Sequence, residues 1–319
     1  MDRLPAKHRR RTAPRILAAA AVLATASCST VTGGTAAGTS ALETASTAAS
    51  PVTAEISQFR DNYSKQIIEI QLTNTTGAAL TVLSAELTSP LFIAGITWPA
   101  RTGGIELPPG QTKSLPVPLP AADCSRPPTT GATAVPATVS LRLAAPTGTA
   151  ATGTAAAGAA TTATAADPYG VLTRNSQEMC VARAAAAVAA IRLEPELEVT
   201  ADAQTAVVRL LITPRAAAGA ADPGTLTIDR IEGTTLIAED PAIPWPHSVS
   251  ISAGGDSQEI RLSIRPARCD PHAVAEDKVG TLLPLRVTVA GREGLLKIDA
   301  GATLRGRIYD FVTTACGRQ

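Results

Sequence analysis

The side chains with the most chemistry to offer in this 319-residue chain are its five cysteines: Cys28, Cys124, Cys180, Cys269 and Cys316. Cysteines that do redox work or hold zinc usually stand two residues apart, and no Cys-x-x-Cys occurs here. The wide spacings suit structural disulfides in an oxidising compartment. Four cysteines allow three connectivities, and an odd fifth thiol needs its own explanation.

Other candidates are few. Beyond residue 27 the histidines are His247 and His272. The run from Cys269 to Asp277 gathers oxygen and nitrogen ligand types, which makes Asp270, His272 and Asp277 weak metal candidates; the plainer reading is a solvated turn. Trp98-Pro99 and Trp245-Pro246 place an indole beside a residue that resists a central strand. Exposed, each ring would stack on a sugar or a peptide; buried, each would plug a core. The motifs for serine, zinc-peptidase, P-loop and Ser-x-x-Lys chemistry are missing from the segment after Cys28. Glu69, Glu86, Asp229 and Glu232 alternate with apolar residues and are expected on outward strand faces. No catalytic residue and no cofactor is therefore expected. A carboxylate-dependent hydrolase is an alternative that needs two facing acids about 5 to 10 Å apart.

A duplication organises these residues. Gly110 to Cys124 aligns without a gap on Gly255 to Cys269, matching a turn glycine, three alternating apolar residues (Leu115, Val117, Leu119 against Ile260, Leu262, Ile264) and a cysteine. Trp98 matches Trp245, Ile68-Ile70-Leu72 match Val208-Leu210-Ile212, Leu141 and Leu143 match Leu285 and Val287, and Cys180 matches Cys316. Of the three connectivities the repeat favours Cys124–Cys180 and Cys269–Cys316. With 3% aromatic residues, such staples matter more than usual. Two copies are expected, at 52–192 and 193–319. Period-two alternation in Gln66–Thr73, Thr81–Leu87, Thr138–Leu143, Ala206–Ile212, Thr225–Ile231, Glu259–Ile264 and Leu282–Val289 argues for all-β sandwich domains. Before each second cysteine, at Tyr169–Cys180 and Leu304–Cys316, alternation stops and short helical segments are expected. Ala182–Ile191 extends the first of them or pairs as a strand. Residues 145–166, rich in Ala, Thr and Gly, read as a low-complexity insert in the first copy.

Residues 1–27 have the layout of a signal peptide: a basic start (Lys7 to Arg11, Arg15), an apolar run from Ile16 to Ala26, and Thr25-Ala26-Ser27-Cys28 at the end. The apolar run is shorter than the roughly 20 residues that span a bilayer. Residues 28–51, small and polar, read as a disordered tether. Thr25 to Cys28 resembles a lipobox, and the chain as a whole resembles extracytoplasmic bacterial lipoproteins with tandem immunoglobulin-like domains. That resemblance implies lipidation of Cys28, an anchor in the membrane and no fifth thiol left over. Without lipidation, Ala24-Thr25-Ala26 would serve ordinary cleavage. True immunoglobulin domains set a Trp between their cysteines, whereas Trp98 and Trp245 precede both.

The formal charge of +1 hides a basic first 27 residues, and the remainder carries −4. A weakly acidic chain with no Lys/Arg cluster argues against nucleic acid as a partner. The expectation is a non-enzymatic module of the cell envelope, acting in adhesion, scaffolding or as an accessory to an envelope protein or glycan. A small-ligand, glycan or metal-binding protein is the alternative.

Overall fold

The computed structural model of the protein describes residues 50–99, 102–125, 136–144, 159–216 and 224–317. The expected signal segment, Cys28, most of the expected tether and the first part of the expected insert at 145–166 lie outside them. The described chain is mostly β. In the first half, β1 (Val52–Ser57), β2 (Ile67–Asn74), β3 (Leu80–Thr88), β4 (Ile96–Trp98), β5 (Ile105–Leu107), β6 (Thr112–Pro118), β7 (Thr138–Leu143) and β8 (Ala159–Ala166) precede the helix α1 (Val171–Val188). The second half holds β9 (Ala189–Val199), β10 (Ala206–Pro214), β11 (Thr225–Ile231), β12 (Ile237–Glu239), β13 (Val249–Ser252), β14 (Gln258–Pro266), the short α2 (Pro271–Ala275), β15 (Leu282–Val289), β16 (Arg292–Asp299) and α3 (Gly301–Cys316).

The two halves share most of one pairing pattern, the exception being that β4 pairs β3 whereas β12 pairs β14. β2 lies between β1 and β6, as β10 lies between β9 and β14. β3 pairs β5 and β7, and β7 pairs β8; likewise β11 pairs β13 and β15, and β15 pairs β16. Register is retained as well: Ile68 faces Val117 and Ile70 faces Leu115, while Val208 faces Leu262 and Leu210 faces Ile260. Seven of these eight apolar residues are at most 2% exposed and Ile260 is partly buried, so slipping either register by one residue would turn a core face to water. Even the irregularities agree. β3 bulges between Val82 and Ser84 against β7, and β11 bulges between Ile228 and Arg230 against β15.

Closure differs between the halves. The first is one continuous sheet in the order β4-β3-β7-β8-β1-β2-β6, with β5 on β3. A parallel contact of β8 with β1, Ala54 facing Ala165 and Glu55 facing Ala166, joins what would otherwise be two layers. On the opposite side Phe92 bridges Ala122, Ile93 N–H donates to Ala121 O (3.1 Å) and Asp123 N–H to Leu91 O (2.9 Å). The result is a nearly closed barrel rather than the expected sandwich. The expectation of an insert across 145–166 also fails over its last eight residues. Ala163 and Ala165 point inward and are buried, and side chains that small let the two layers meet at the seam. In the second half β16 carries Leu295, Leu296 and Ile298 instead, and two separate four-stranded sheets face each other, β12-β14-β10-β9 and β13-β11-β15-β16.

The helices are longer than the expected short segments. α1 begins at a left-handed Gly170 (φ 58°), and Asp167 accepts the N–H groups of Val171 (2.7 Å) and Leu172 (2.9 Å), which satisfies two of the helix's orphan donors. Its core contacts divide along its length. Val171, Leu172 and Cys180 belong to the core of the first half, whereas Val181, Ala185 and Val188, one stripe at i, i+4 and i+7, belong to the core of the second. The chain then enters β9 without a linker, so a boundary at 192/193 would cut a strand. Leu304, Ile308, Phe311, Val312 and Ala315 of α3 complete the second core.

Candidate functional site

Cys124 is bonded to Cys180 and Cys269 to Cys316. Each bridge ties the end of a copy's β6 or β14 arm to its helix, and both fit an oxidising, extracytoplasmic compartment.

The tryptophans are not ligand platforms. Trp98 is 2% exposed and Trp245 3% exposed. The Trp245 indole N–H donates to Ser263 O at 2.7 Å. Both rings fill cores, and in Trp245 the ring's one polar atom finds an internal partner. The loop from Asp270 to Asp277 is also otherwise engaged. Asp270 accepts the backbone N–H of His272 (2.9 Å), and the Asp277 carboxylate accepts Thr235 Oγ1, Gly280 N–H (2.7 Å) and Tyr309 Oη (2.9 Å). Asp277 therefore pins a loop to α3, and burial together with this acceptor pushes the Tyr309 phenol up to about 12. Among the described residues no three His, Cys, Asp or Glu side chains gather as a metal ion requires. Beside this loop an apolar recess of about 540 Å³ lies between α2 and α3, over the Cys269–Cys316 bridge.

One carboxylate departs from the expected outward face. Glu69 is 2% exposed, covered by the β1–β2 loop, where Asn62 Nδ2 donates to its Oε1 at 3.0 Å. Burial raises its pKa, the Asn62 bond works against that rise, and Asp61 adds to it. The same loop reaches α1 through Gln58, which exchanges hydrogen bonds with Asn175 (3.0 and 3.3 Å) and accepts Arg174 Nη2 (2.9 Å).

The arrangement with most chemistry lies where the halves meet. A groove of about 500 Å³ has α1 as one wall, through Arg174, Gln177 and Glu178, and the outer face of β11, β15 and β16 as its floor, through Asp229, Arg286, Glu293, Gly294 and Leu295. The wall is tightly held. Both Glu178 oxygens accept Lys297 Nζ at 2.8 Å, and the Tyr63 ring lies under both Lys297 (5.2 Å) and Arg174 (5.5 Å), a paired cation–π contact. Arg292 Nη2 donates to Cys124 O (2.6 Å), a second tie across the junction. Gly294 allows the helix to approach the floor: a Cβ there would lie 2.7 Å from Val181.

The floor is arranged differently. Asp229 is the extra residue of the β11 bulge, and a bulge re-aims its side chain. Its Oδ2 accepts Thr288 Oγ1 at 2.8 Å. Arg286 turns its Nε away to Glu232 (2.9 Å), whose carboxyl is held below its ordinary pKa by Arg286 first and by Arg230 (2.6 Å) after it. Glu293 has no hydrogen-bond or ion-pair partner among the described residues. Arg286 faces Leu295 across the β15–β16 pair and Glu293 lies two residues earlier, so the two opposite charges share a face as diagonal neighbours without bonding each other.

Sequence reasoning placed Asp229 on an outward face but did not single it out, and it missed Arg286 and Glu293. The signal that would have found Asp229 is the difference between copies; Arg286 has Arg142 in the matching place and carries no such signal. Where the second has Asp229 and Arg230 at its bulge, the first has Leu83 and Ser84.

No protein-family model matches the chain, and no curated protein matches it. Among solved structures, an exo-chitosanase of Amycolatopsis orientalis is similar at 13% identity and a TM-score of 0.19, over 78% of this chain and 26% of that enzyme. The calcium-binding domain CBD12 of CALX1.1 is similar at 12% identity and 0.18, over 72% of this chain and 75% of that one. A red sea bream transglutaminase is similar at 10% identity and 0.21, over 78% and 31%. Scores of that size establish no shared fold and carry no function to this chain.

Proposed function

We propose that the protein is a non-enzymatic module of the cell envelope, exported and anchored through lipid on Cys28, that engages an envelope partner in an adhesion, scaffolding or accessory role. The two halves are, in this reading, variants of an immunoglobulin-like sandwich. Two internal disulfides and the otherwise unexplained fifth cysteine support the compartment and the anchor. The observation that carries the proposal is the junction. A helix common to two cores, held by Lys297, Tyr63 and Arg292, makes a fixed body whose inter-half groove offers charge of both signs. The test is cross-linking in the native membrane with the intact protein and with the Arg286→Glu/Glu293→Arg double variant. A partner captured by the first and lost from the second is the expected result; identical capture would contradict the role given to the groove.

A second reading is favoured by one observation. Thr288 faces Glu293 across the strands and bonds Asp229, so two groove-lining carboxylates both neighbour one residue. That is the raw material of a carboxylate-dependent hydrolase. Turnover of chromogenic glycosides that vanishes in both Asp229→Asn and Glu293→Gln would establish it, and absence of turnover in the unsubstituted protein would end it.

A further inference from the structure

We infer that the groove between α1 and the β11–β15–β16 face binds a zwitterion, specifically a short peptide with its amino and carboxylate ends both free. The inference rests on the groove being the recognition site and names the chemistry it selects. Arg286 and Glu293 are exposed neighbours of opposite charge on one sheet face. They do not bond each other: the Arg286 Nε goes to Glu232, which does not line the groove, and its two Nη groups make no bond among the described residues. A guanidinium presented in that way takes a carboxylate through two parallel hydrogen bonds. Glu293 is an unspent acceptor on the same face, and Asp229 keeps its Oδ1, a pair suited to an ammonium group.

Diagonal neighbours on paired strands have backbones about 7 to 8 Å apart, and two long side chains rising from them on one face can reach the two ends of a di- or tripeptide. A cavity of about 500 Å³ is within the usual range for small-ligand sites. The alternatives fit less well. No aromatic residue lines the groove to stack on a sugar, and two arginines against three acids do not suit a polyanion.

The test is calorimetric titration of the intact protein with Ala-Ala-Ala, its N-acetylated form and its C-terminal amide. The free tripeptide should bind, and each blocked form should bind at least tenfold more weakly, the scale of one charge-assisted contact. Glu293→Gln should remove the penalty for acetylation and keep that for amidation; Arg286→Gln should do the reverse. Glu293 makes no bond within the described fold, so its variant keeps the test valid if Arg286→Gln fails to fold. Equal binding of a doubly blocked tripeptide, or no heat from the free tripeptide at millimolar concentration, would overturn the inference. Partner loss in the charge-reversed variant together with no tripeptide binding would sink this inference and leave the envelope reading standing.

Discussion

The first half closes on itself and the second is held together by helices, although the two share most of their strand pairs in the same register. The difference traces to one strand and one helix. β8 is built of alanine and threonine, and its buried Ala163 and Ala165 let it lie directly against β1. Its counterpart β16 is bulkier and does not pair with β9. On that side the second half takes up α1, a helix whose first turns belong to the neighbouring core. One strand arrangement thus tolerates two kinds of closure, and the helix that serves the second closure also builds the groove wall.

The largest expected effect comes from the disulfides. Loops of 56 and 47 residues give about 4 kcal/mol each in the chain-entropy model. Replacing Cys269 and Cys316 by serine should lower the midpoint of both halves together, and so should replacing Cys124 and Cys180, because the shared helix couples the cores. Urea titration checks this, and a Cys124→Ser/Cys180→Ser protein whose second half unfolds at an unchanged midpoint would break the comparison.

Next comes Leu172→Ala, at the first-half end of α1. Truncating a fully buried leucine should cost on the order of 3 kcal/mol, and hydrogen exchange should show protection falling in β9 and β16 as well as in β1. Protection lost only in the first half would mean that α1 does not couple the cores. A smaller effect, about 1 to 3 kcal/mol by overpacking, is expected from Ala165→Leu at the barrel seam. Ile298→Leu, a volume-conserving change on the strand that does not close, should be nearly neutral by thermal melting.

The smallest effect is a pH dependence that arises in the first half. Burial raises the Glu69 pKa in the fold, so the folded state holds its proton more tightly than the unfolded one. Its contribution is full below the ordinary value of 4.5 and is lost as pH rises through the raised value. Glu69→Gln should therefore flatten the decline in stability above about pH 4.5, and an unchanged pH profile would argue that the carboxylate is solvated. The residue in the matching place, Arg209, lies on an open face among Glu196, Glu198 and Glu259, so no such dependence is expected there.

Much of this organisation was legible beforehand, for identifiable reasons. Ile68, Ile70 and Leu72, like Val208, Leu210 and Ile212, alternate strongly enough to declare a strand, and the matched cysteines fixed the expected pairing. β8 was not legible, because alanine and threonine carry little apolar contrast; it is a strand on account of its neighbours β7 and β1. The burial of Glu69 depends on a loop whose path no periodicity reveals. The groove was hidden for another reason: Arg174, Asp229, Arg286 and Glu293 come from four elements and meet only after the halves dock. The tryptophans resolved toward packing, since matched positions in two copies answer to a shared core before they answer to a ligand.

Those tryptophans also supply the most direct measurement of the central claim, that a shared helix makes the two halves one body. Trp98 reports the first core and Trp245 the second, so Trp245→Phe and Trp98→Phe each leave one fluorophore in one half. Followed by fluorescence in urea, the two variants should unfold at coincident midpoints, after correction for each substitution's own effect measured by circular dichroism. Two well-separated transitions, with one core lost while the other stays intact, would contradict the account.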